Sequence, residues 1–387
     1  MKALILDTEK RTANVKETSV PVPGKGEVLV QVKAIALNPI DPLYVAHPLA
    51  SSGRTIGSDF AGIVSSLGTN VPSSHFKVGD RVSGFLQGAC SVNERPGAFA
   101  EYLVVPWDLV WKVPEKTSLE EASGVSLVAL TAAQGIWYRL GMQAPFGLGH
   151  ETSKERQPEC TKPQNQNVEN FFIYGASTSV GLYAAQMVRI SAQERGRKIC
   201  LFGAASKARW DMLKAEPYAY DHLVDYRDPD WPAQIKMIAG GSGMHYAYDC
   251  ISEKLSVKKT ISTLMDNGKA AIVRSRQGGA WTAQNLLVEP IYGAVWEGLG
   301  VEVEYQGFTV KESPAAREFA AKFYEWLAGA VGSTLKPNPI RVMPGGLERV
   351  VEDGFRLLGS GSMEERQITT SGGHMKPVSA EKLVYVV

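Results

Sequence analysis

Short apolar runs, separated by Gly and Pro, fill the first hundred residues of the chain. Residues 2–6, 28–35, 62–67, 81–85 and 99–105 are rich in Val, Ile and aromatic side chains, with turn signals such as Pro21-Val22-Pro23-Gly24 and Val78-Gly79-Asp80 between them. That spacing predicts a compact β barrel or sandwich. From Ser118 the pattern becomes one long apolar helix, LEEASGVSLVALTAAQGIWYRLG, with Thr117 or Ser118 as N-cap and Gly141 near its stop. Residues 145–170 are polar, contain prolines and show no period, which predicts an exposed loop. Strands at 171–174, 198–202, 222–225, 246–250 and 269–273 then alternate with helices at 179–193, 207–215, 231–238 and 253–265. Such alternation predicts a doubly wound parallel sheet, for which 301–308 offers a sixth strand. The remainder reads as a helix over 315–330, a strand over 340–343, a helix over 346–358 and a strand over 382–387. The fold class is α/β.

Composition narrows the classes without changing that outline. The 387 residues are 44% hydrophobic and 21% charged, the usage of an ordinary globular chain of roughly two or three domains. The 41 Lys and Arg against 40 Asp and Glu leave a net charge of +1, so no global field draws phosphate backbones or acidic membranes. Neither nucleic acid nor a membrane is expected as a partner. The four cysteines, Cys90, Cys160, Cys200 and Cys250, lie too far apart for a CxxC or zinc spacing. At the N-terminus a brief apolar run, Ala3 to Leu6, meets Asp7, Glu9, Lys10 and Arg11 without the apolar stretch of a signal peptide, and the expected location is cytoplasmic.

Candidate chemistry starts at the turn Gly175-Ala176-Ser177-Thr178-Ser179-Val180-Gly181, between the strand FFIY and the helix LYAAQMVRI. Small residues at a strand-to-helix junction let the backbone approach a pyrophosphate, and the helix start offers N–H groups and a positive dipole end to it. Gly175, Ser177, Thr178, Ser179, Val180 and Gly181 are therefore cofactor-binding candidates. About 20 residues further on, an acid would hold a ribose 2'-hydroxyl. Here Phe202-Gly203-Ala204-Ala205-Ser206-Lys207-Ala208-Arg209 contains none before Asp211. Ser206, Lys207 and Arg209, with Tyr226 at the end of the next strand, offer hydroxyls and cations to a 2'-phosphate, which favours NADPH over NADH. The competing reading of Lys207 and Arg209 is a solvated basic start to a helix.

The ordered motifs Asn38-Pro39-Ile40-Asp41, Gly57-Ser58-Asp59-Phe60-Ala61-Gly62, Val78-Gly79-Asp80-Arg81-Val82, the turn above, Tyr248 to Ile251 and Glu381 to Val387 resemble the medium-chain dehydrogenase/reductase superfamily. The resemblance implies a GroES-like β domain plus a Rossmann domain, with boundaries at 1–130, 131–309 and 310–387. The zinc-dependent members carry a Cys and a His-Glu pair where this chain has Asn38 to Asp41 and Ser58-Asp59. Their four-cysteine lobe is reduced to Cys90, so no metal is expected, and His47 and His75 read as surface or loop residues. Within the zinc-free branch the chain is similar to fungal trans-acting enoyl reductases of polyketide synthases, through AIALNPID, GSDFAGIV, GAFAEYLVV, the polar insertion and EKLVYVV.

What that resemblance implies is hydride transfer to an α,β-unsaturated thioester, with a polyketide synthase, alone or as a hybrid with a peptide synthetase, as partner. A quinone or enone reductase on free molecules, and a non-catalytic nucleotide-binding protein, are the alternatives. Asn38 and Asp41 are catalytic candidates that orient the nicotinamide or its ribose, although both could simply order a turn. No proton donor is evident in the sequence: Tyr44 is a candidate, with a phenol packed in a loop as the equal alternative and solvent as another source of the proton. Ile40, Thr131, Val273, Val378 and Ser379 are grouped with the cofactor-binding candidates. The stretch 279–300 supplies Trp281, Tyr292 and Trp296, which suit an apolar substrate wall and core packing equally.

Overall fold

The computed structural model describes residues 1–89, 93–147, 168–305, 307–363 and 373–387. Cys90, Cys160 and most of the predicted exposed loop lie outside the described residues. Two compact units emerge, one formed by Met1–Val128 with Trp296–Val387 and the other by Ala129–Val295.

In the first unit, β1 (Lys2–Asp7) and β2 (Thr12–Glu17) form an antiparallel pair. Its main sheet is built around β3 (Glu27–Ala36), which pairs with β4 (Asp59–Leu67), while β5 (Arg81–Phe85) extends the sheet beyond β4. β6 (Tyr102–Pro106) also pairs with β3, and β7 (Val110–Lys112) closes the edge on β5. A short helix α1 (Ile40–Ala46) connects β3 to β4. Pro39 at its N-cap and Pro42 in its first turn need no intrahelical N–H there, so a Pro-rich segment still forms helix.

The predicted long helix is instead three pieces: α2 (Leu119–Ser123), α3 (Ser126–Ala133) and a wider π-helical turn over Gln134–Arg139. Its start is as the sequence indicates. The Ser118 hydroxyl accepts from the Glu121 N–H at 3.1 Å and the Glu121 carboxylate accepts from the Ser118 N–H at 3.0 Å. Gly124 ends α2, and at Gly135 a side chain would stand 2.5 Å from the Tyr248 ring, so that turn is shaped by close packing.

In the second unit, β8 (Glu169–Tyr174), β9 (Ile199–Ala204), β10 (His222–Val224), β11 (Met244–Asp249), β12 (Leu264–Ile272) and β13 (Ile291–Tyr292) make an all-parallel sheet. Its order is β10-β9-β8-β11-β12-β13. This is the doubly wound arrangement in which the first and fourth strands of the set lie side by side, so the crossovers depart in opposite directions from that point. Helices α4 (Ser179–Arg195), α5 (Trp210–Lys214), α6 (Trp231–Ile238) and α7 (Ser256–Ser262) fall between the strands in sequence. Trp231 of α6 is buried against Phe172 and Tyr174 of β8, with ring centroids 5.2 and 5.4 Å away.

The sixth strand corrects the sequence reading. Residues 301–308 do not enter this sheet. Gly307, at φ +83°, turns them back, giving an antiparallel pair of β14 (Val303–Tyr305) and β15 (Phe308–Val310) within the first unit. The boundary expected at 309 accordingly falls at Val295. After α8 (Pro314–Ala330), β16 (Ile340–Met343) and β17 (Lys382–Val386) return to the first sheet, β17 pairing with both β16 and β3. The helix predicted over 346–358 is a 3-10 turn, a π-helical turn and a single α turn in succession.

Candidate active site

The glycine-rich turn leaves β8 at the point where the sheet order reverses. Gly175 has φ +75°, and a side chain there would stand 2.9 Å from Ile251, which follows the neighbouring strand β11. Thr178 caps α4: its hydroxyl donates to the Gly175 carbonyl at 2.8 Å and accepts from the Gly181 N–H at 3.0 Å. At Gly181 a Cβ would fall 2.3 Å from the Gly175 carbonyl oxygen, so only glycine lets the helix start this close to the turn. Thr178 and Gly181 thus build the crevice, since the Gly181 N–H is already satisfied by the cap.

Across the switch point a second loop is organised by Asp249. Its carboxylate, fully buried, accepts from the Ile251 and Ser252 N–H groups at 2.9 and 2.7 Å and from the Ser256 hydroxyl at 2.6 Å. Burial pushes its pKa up to about 6 against those bonds. Ser252, held at φ +53°, accepts from the Val273 N–H at 3.0 Å, tying the end of β12 to the same loop. The Tyr248 hydroxyl donates to the Thr131 carbonyl at 2.9 Å, so Thr131 and Val273 are both anchored around the end of β11.

The predicted phosphate group of residues lies one step outward. Ser206, Lys207 and Arg209 begin immediately after β9, and Tyr226 follows β10, whose Val224 pairs with Ala204. Lys207 is exposed, and the pKa of Asp228 is lowered first by the Asp230 N–H and the Gln234 amide, with the Lys207 charge adding a smaller contribution. Arg227, absent from the sequence reading, stacks its guanidinium over the Tyr226 ring at 4.7 Å and adds a third cation to this edge.

In the first unit Asn38 and Asp41 belong to one buried network. The Asn38 N–H donates to Asp41 Oδ2 at 2.7 Å and the Ser58 hydroxyl to Asp41 Oδ1 at 2.7 Å. The Asn38 amide donates through Nδ2 to Asp59 Oδ2 at 3.0 Å, and Asp59 Oδ1 accepts from the Leu127 N–H at 2.9 Å. Lys382 of β17 completes it as an ion pair with Asp59, both side chains nearly inaccessible. A carboxylate only accepts, so Asn38 must turn its NH2 toward Asp59, which leaves Oδ1 as a buried acceptor without a partner. Desolvation raises the Asp41 pKa to about 7, opposed chiefly by the Asn38 N–H. Tyr44, one turn along α1, is buried and accepts from Gln87 Nε2 at 2.7 Å. Ile40 opens the same helix.

Val378 and Ser379 precede β17 on a loop that Arg341 clamps. Its buried guanidinium donates to the carbonyls of His374, Lys376 and Pro377 and pairs with Glu381. Of the aromatics in 279–300, Trp281 and Tyr292 pack in or against the core of the second unit, whereas Trp296 sits 6.5 Å from Tyr44 and 5.8 Å from Phe85 by ring centroids. His47 and His75 are exposed.

Residues 24–115 match the alcohol dehydrogenase GroES-like domain. Over the whole chain, a trans-enoyl reductase of Aspergillus niger is 29% identical, covering 100% of this chain and 96% of its own. One of Penicillium crustosum is 28% identical over 90% of this chain and 91% of its own. Among solved structures, an alcohol dehydrogenase superfamily protein from Novosphingobium aromaticivorans superposes with a TM-score of 0.70 at 20% identity, and the CurK enoyl reductase with 0.68 at 18%. Each covers all of this chain, and the chain covers 99% and 98% of them. Residues 24–115 thus carry an alcohol dehydrogenase GroES-like domain, and the chain is similar along its length to trans-enoyl reductases and shares the fold of alcohol dehydrogenase and enoyl reductase structures.

Sequence reasoning put its candidates at the turn, the basic edge and the Asn38 segment, and did not select Asp59, Lys382, Asp249, Ser252 or Gln87, which make the hydrogen bonds described above. Asp249 stands in the Tyr248 to Ile251 motif, and its signal was an acid near the end of a predicted strand, three residues before Ser252. Among the described residues no three His, Cys, Asp or Glu side chains gather as a metal ion would need, and no helix is long and apolar enough to cross a membrane.

Proposed function

We propose that this protein is an NADPH-dependent enoyl reductase that acts in trans on an α,β-unsaturated thioester held by a polyketide synthase, alone or as a hybrid with a peptide synthetase. The observation that carries the reading is similarity along the full chain to fungal trans-enoyl reductases, joined to a switch-point crevice whose β9 edge ends in cations instead of an acid. Bound NADPH would supply a hydride for the β carbon. Ser206, Lys207, Arg209 and Tyr226 fit its 2'-phosphate, and the Gly175–Gly181 turn fits its pyrophosphate.

In the first unit the unpartnered Asn38 Oδ1 is an acceptor of the kind a carboxamide N–H or a ribose hydroxyl satisfies. Asp41 and Asp59 hold Asn38 in that orientation and do not themselves react. As hydride arrives, the thioester oxygen gains enolate charge that hydrogen-bond donors must stabilise. The α carbon then takes a proton, for which Tyr44 is the proposed donor, its phenolate being reprotonated by water.

The test is NADPH consumption by the purified protein with a crotonyl pantetheine thioester and, separately, with a quinone. Reduction of the thioester is expected to dominate. Lys207→Ala should raise KM for NADPH about tenfold, the order of one exposed charge-assisted hydrogen bond, and leave NADH unaffected. Faster turnover of the quinone, or a preference for NADH that Lys207→Ala does not disturb, would refute the assignment.

A further inference from the structure

Gln87 follows β5, is nearly inaccessible, and makes two hydrogen bonds through the same atom. Its Nε2 donates to Tyr44 Oη at 2.7 Å and to the Glu304 carbonyl oxygen at 2.8 Å. A main-chain carbonyl can only accept, so the atom between the two partners is the amide NH2, and the orientation of Gln87 has no alternative. One N–H goes to Glu304 on β14 and the other to the phenol. Oε1 is buried and unpartnered, which means that the NH2 alone holds the side chain. The Leu86 N–H donates to the Ser58 carbonyl at 2.9 Å, fixing the backbone from which Gln87 reaches.

The consequence concerns a proton. Because Gln87 is a donor to Tyr44, the phenol oxygen must accept on that side and cannot give its own hydrogen to Gln87. Trp296 and Phe85 pack on the same region, with ring centroids 6.5 Å from Tyr44 and 5.8 Å from Trp296 respectively, so the ring has little freedom to swing.

We infer that Gln87 is the positioning residue that aims the Tyr44 proton, and thereby sets the face from which the α carbon of the substrate is protonated. This rests on the reading of Tyr44 as proton donor. The step balances: hydride from NADPH adds at the β carbon, the Tyr44 O–H breaks as the α C–H forms, and water returns a proton to the phenolate.

The experiment uses the pantetheine thioester of 2-methylbut-2-enoic acid, whose reduction creates a stereocentre at the α carbon, and reads the ratio of the two epimers with kcat and KM for NADPH. Gln87→Glu keeps the shape but replaces the donor by an acceptor that would draw the Tyr44 proton to itself. Gln87→Met keeps the volume and removes the donor. Both should lower kcat about tenfold or more and erode the epimer ratio, leaving KM for NADPH within about twofold, and Tyr44→Phe should reproduce that loss. A role confined to packing would instead leave the epimer ratio intact whatever happened to the rate.

If Tyr44→Phe erodes the ratio and both Gln87 variants keep it, the inference is overturned and the Tyr44 reading stands. If Tyr44→Phe reacts at the native rate and ratio, Tyr44 is not the donor and the inference falls with it. Should Gln87→Glu not fold, Gln87→Met decides: an unchanged ratio there overturns the inference.

Discussion

Removing the ammonium of Lys382 tests how the Asn38 network is held. Lys382 pairs with Asp59 where neither side chain reaches water, and Asp59 accepts in addition from Asn38 Nδ2 and the Leu127 N–H. Lys382→Met retains most of the apolar stem, so the packing change is small and the charge is what is lost. A carboxylate left buried with two neutral donors loses about 3–5 kcal/mol, a large part of the about 5–15 kcal/mol that holds an ordinary domain. The loss should be read as a lower urea midpoint with an unchanged slope. Adding Asp59→Asn to Lys382→Met removes the stranded charge and should restore more than half of the stability. That double variant must not recover cofactor affinity, because an Asn at 59 can accept from Leu127 and present its own NH2 to Asn38. Asn38 then flips, and its partnerless oxygen is replaced by a donor. A Lys382→Met protein within about 1 kcal/mol of the parent, or a double variant no more stable than the single one, would refute the argument.

Two further outcomes follow from the geometry. Gly181→Ala drives a methyl to 2.3 Å from the Gly175 carbonyl oxygen, so it should cost about 1–3 kcal/mol in unfolding free energy and lower NADPH affinity measured by fluorescence titration. Asp41, whose pKa rises from 3.8 to about 7, is bound more tightly to its proton in the folded state than in the unfolded chain. The stability it contributes is fully present below about pH 4 and is lost as pH rises through about 7, at about 1.4 kcal/mol per unit of displacement. Asp41→Asn should remove that slope between pH 4 and 7 and be the more stable protein at pH 8, as followed by thermal unfolding at each pH.

The elements most legible in the sequence were those whose side-chain period matched their burial. Helix α6 (Trp231–Ile238), β5 (Arg81–Phe85) and β16 (Ile340–Met343) fall where the pattern put them, and Ser118 caps as its spacing to Glu121 indicates. β2, TANVKE, is polar and mostly accessible, so it carries no apolar signal. β13 has only two residues, too few for any period, whereas the alternating VEVEY of 301–305 imitated a sixth strand until Gly307 reversed it. Within the site, the turn and its basic edge were readable because their chemistry is local. Asp59 and Lys382 were not, since the two residues that hold Asn38 stand 323 positions apart and a pairing at that distance leaves no trace in spacing.

That same separation sets a timetable for synthesis. At about 5–20 residues per second, a ribosome that has just delivered Asp59 needs roughly 16–65 seconds to deliver its cation, 323 residues later. All six strands of the parallel sheet, between Glu169 and Tyr292, emerge within that interval and can pair among themselves. The nucleotide-type unit can therefore be finished while the earlier one still waits for β17. A nascent chain stalled before Lys382 would carry a completed Rossmann sheet beside an Asp59 that has yet to meet its counter-charge.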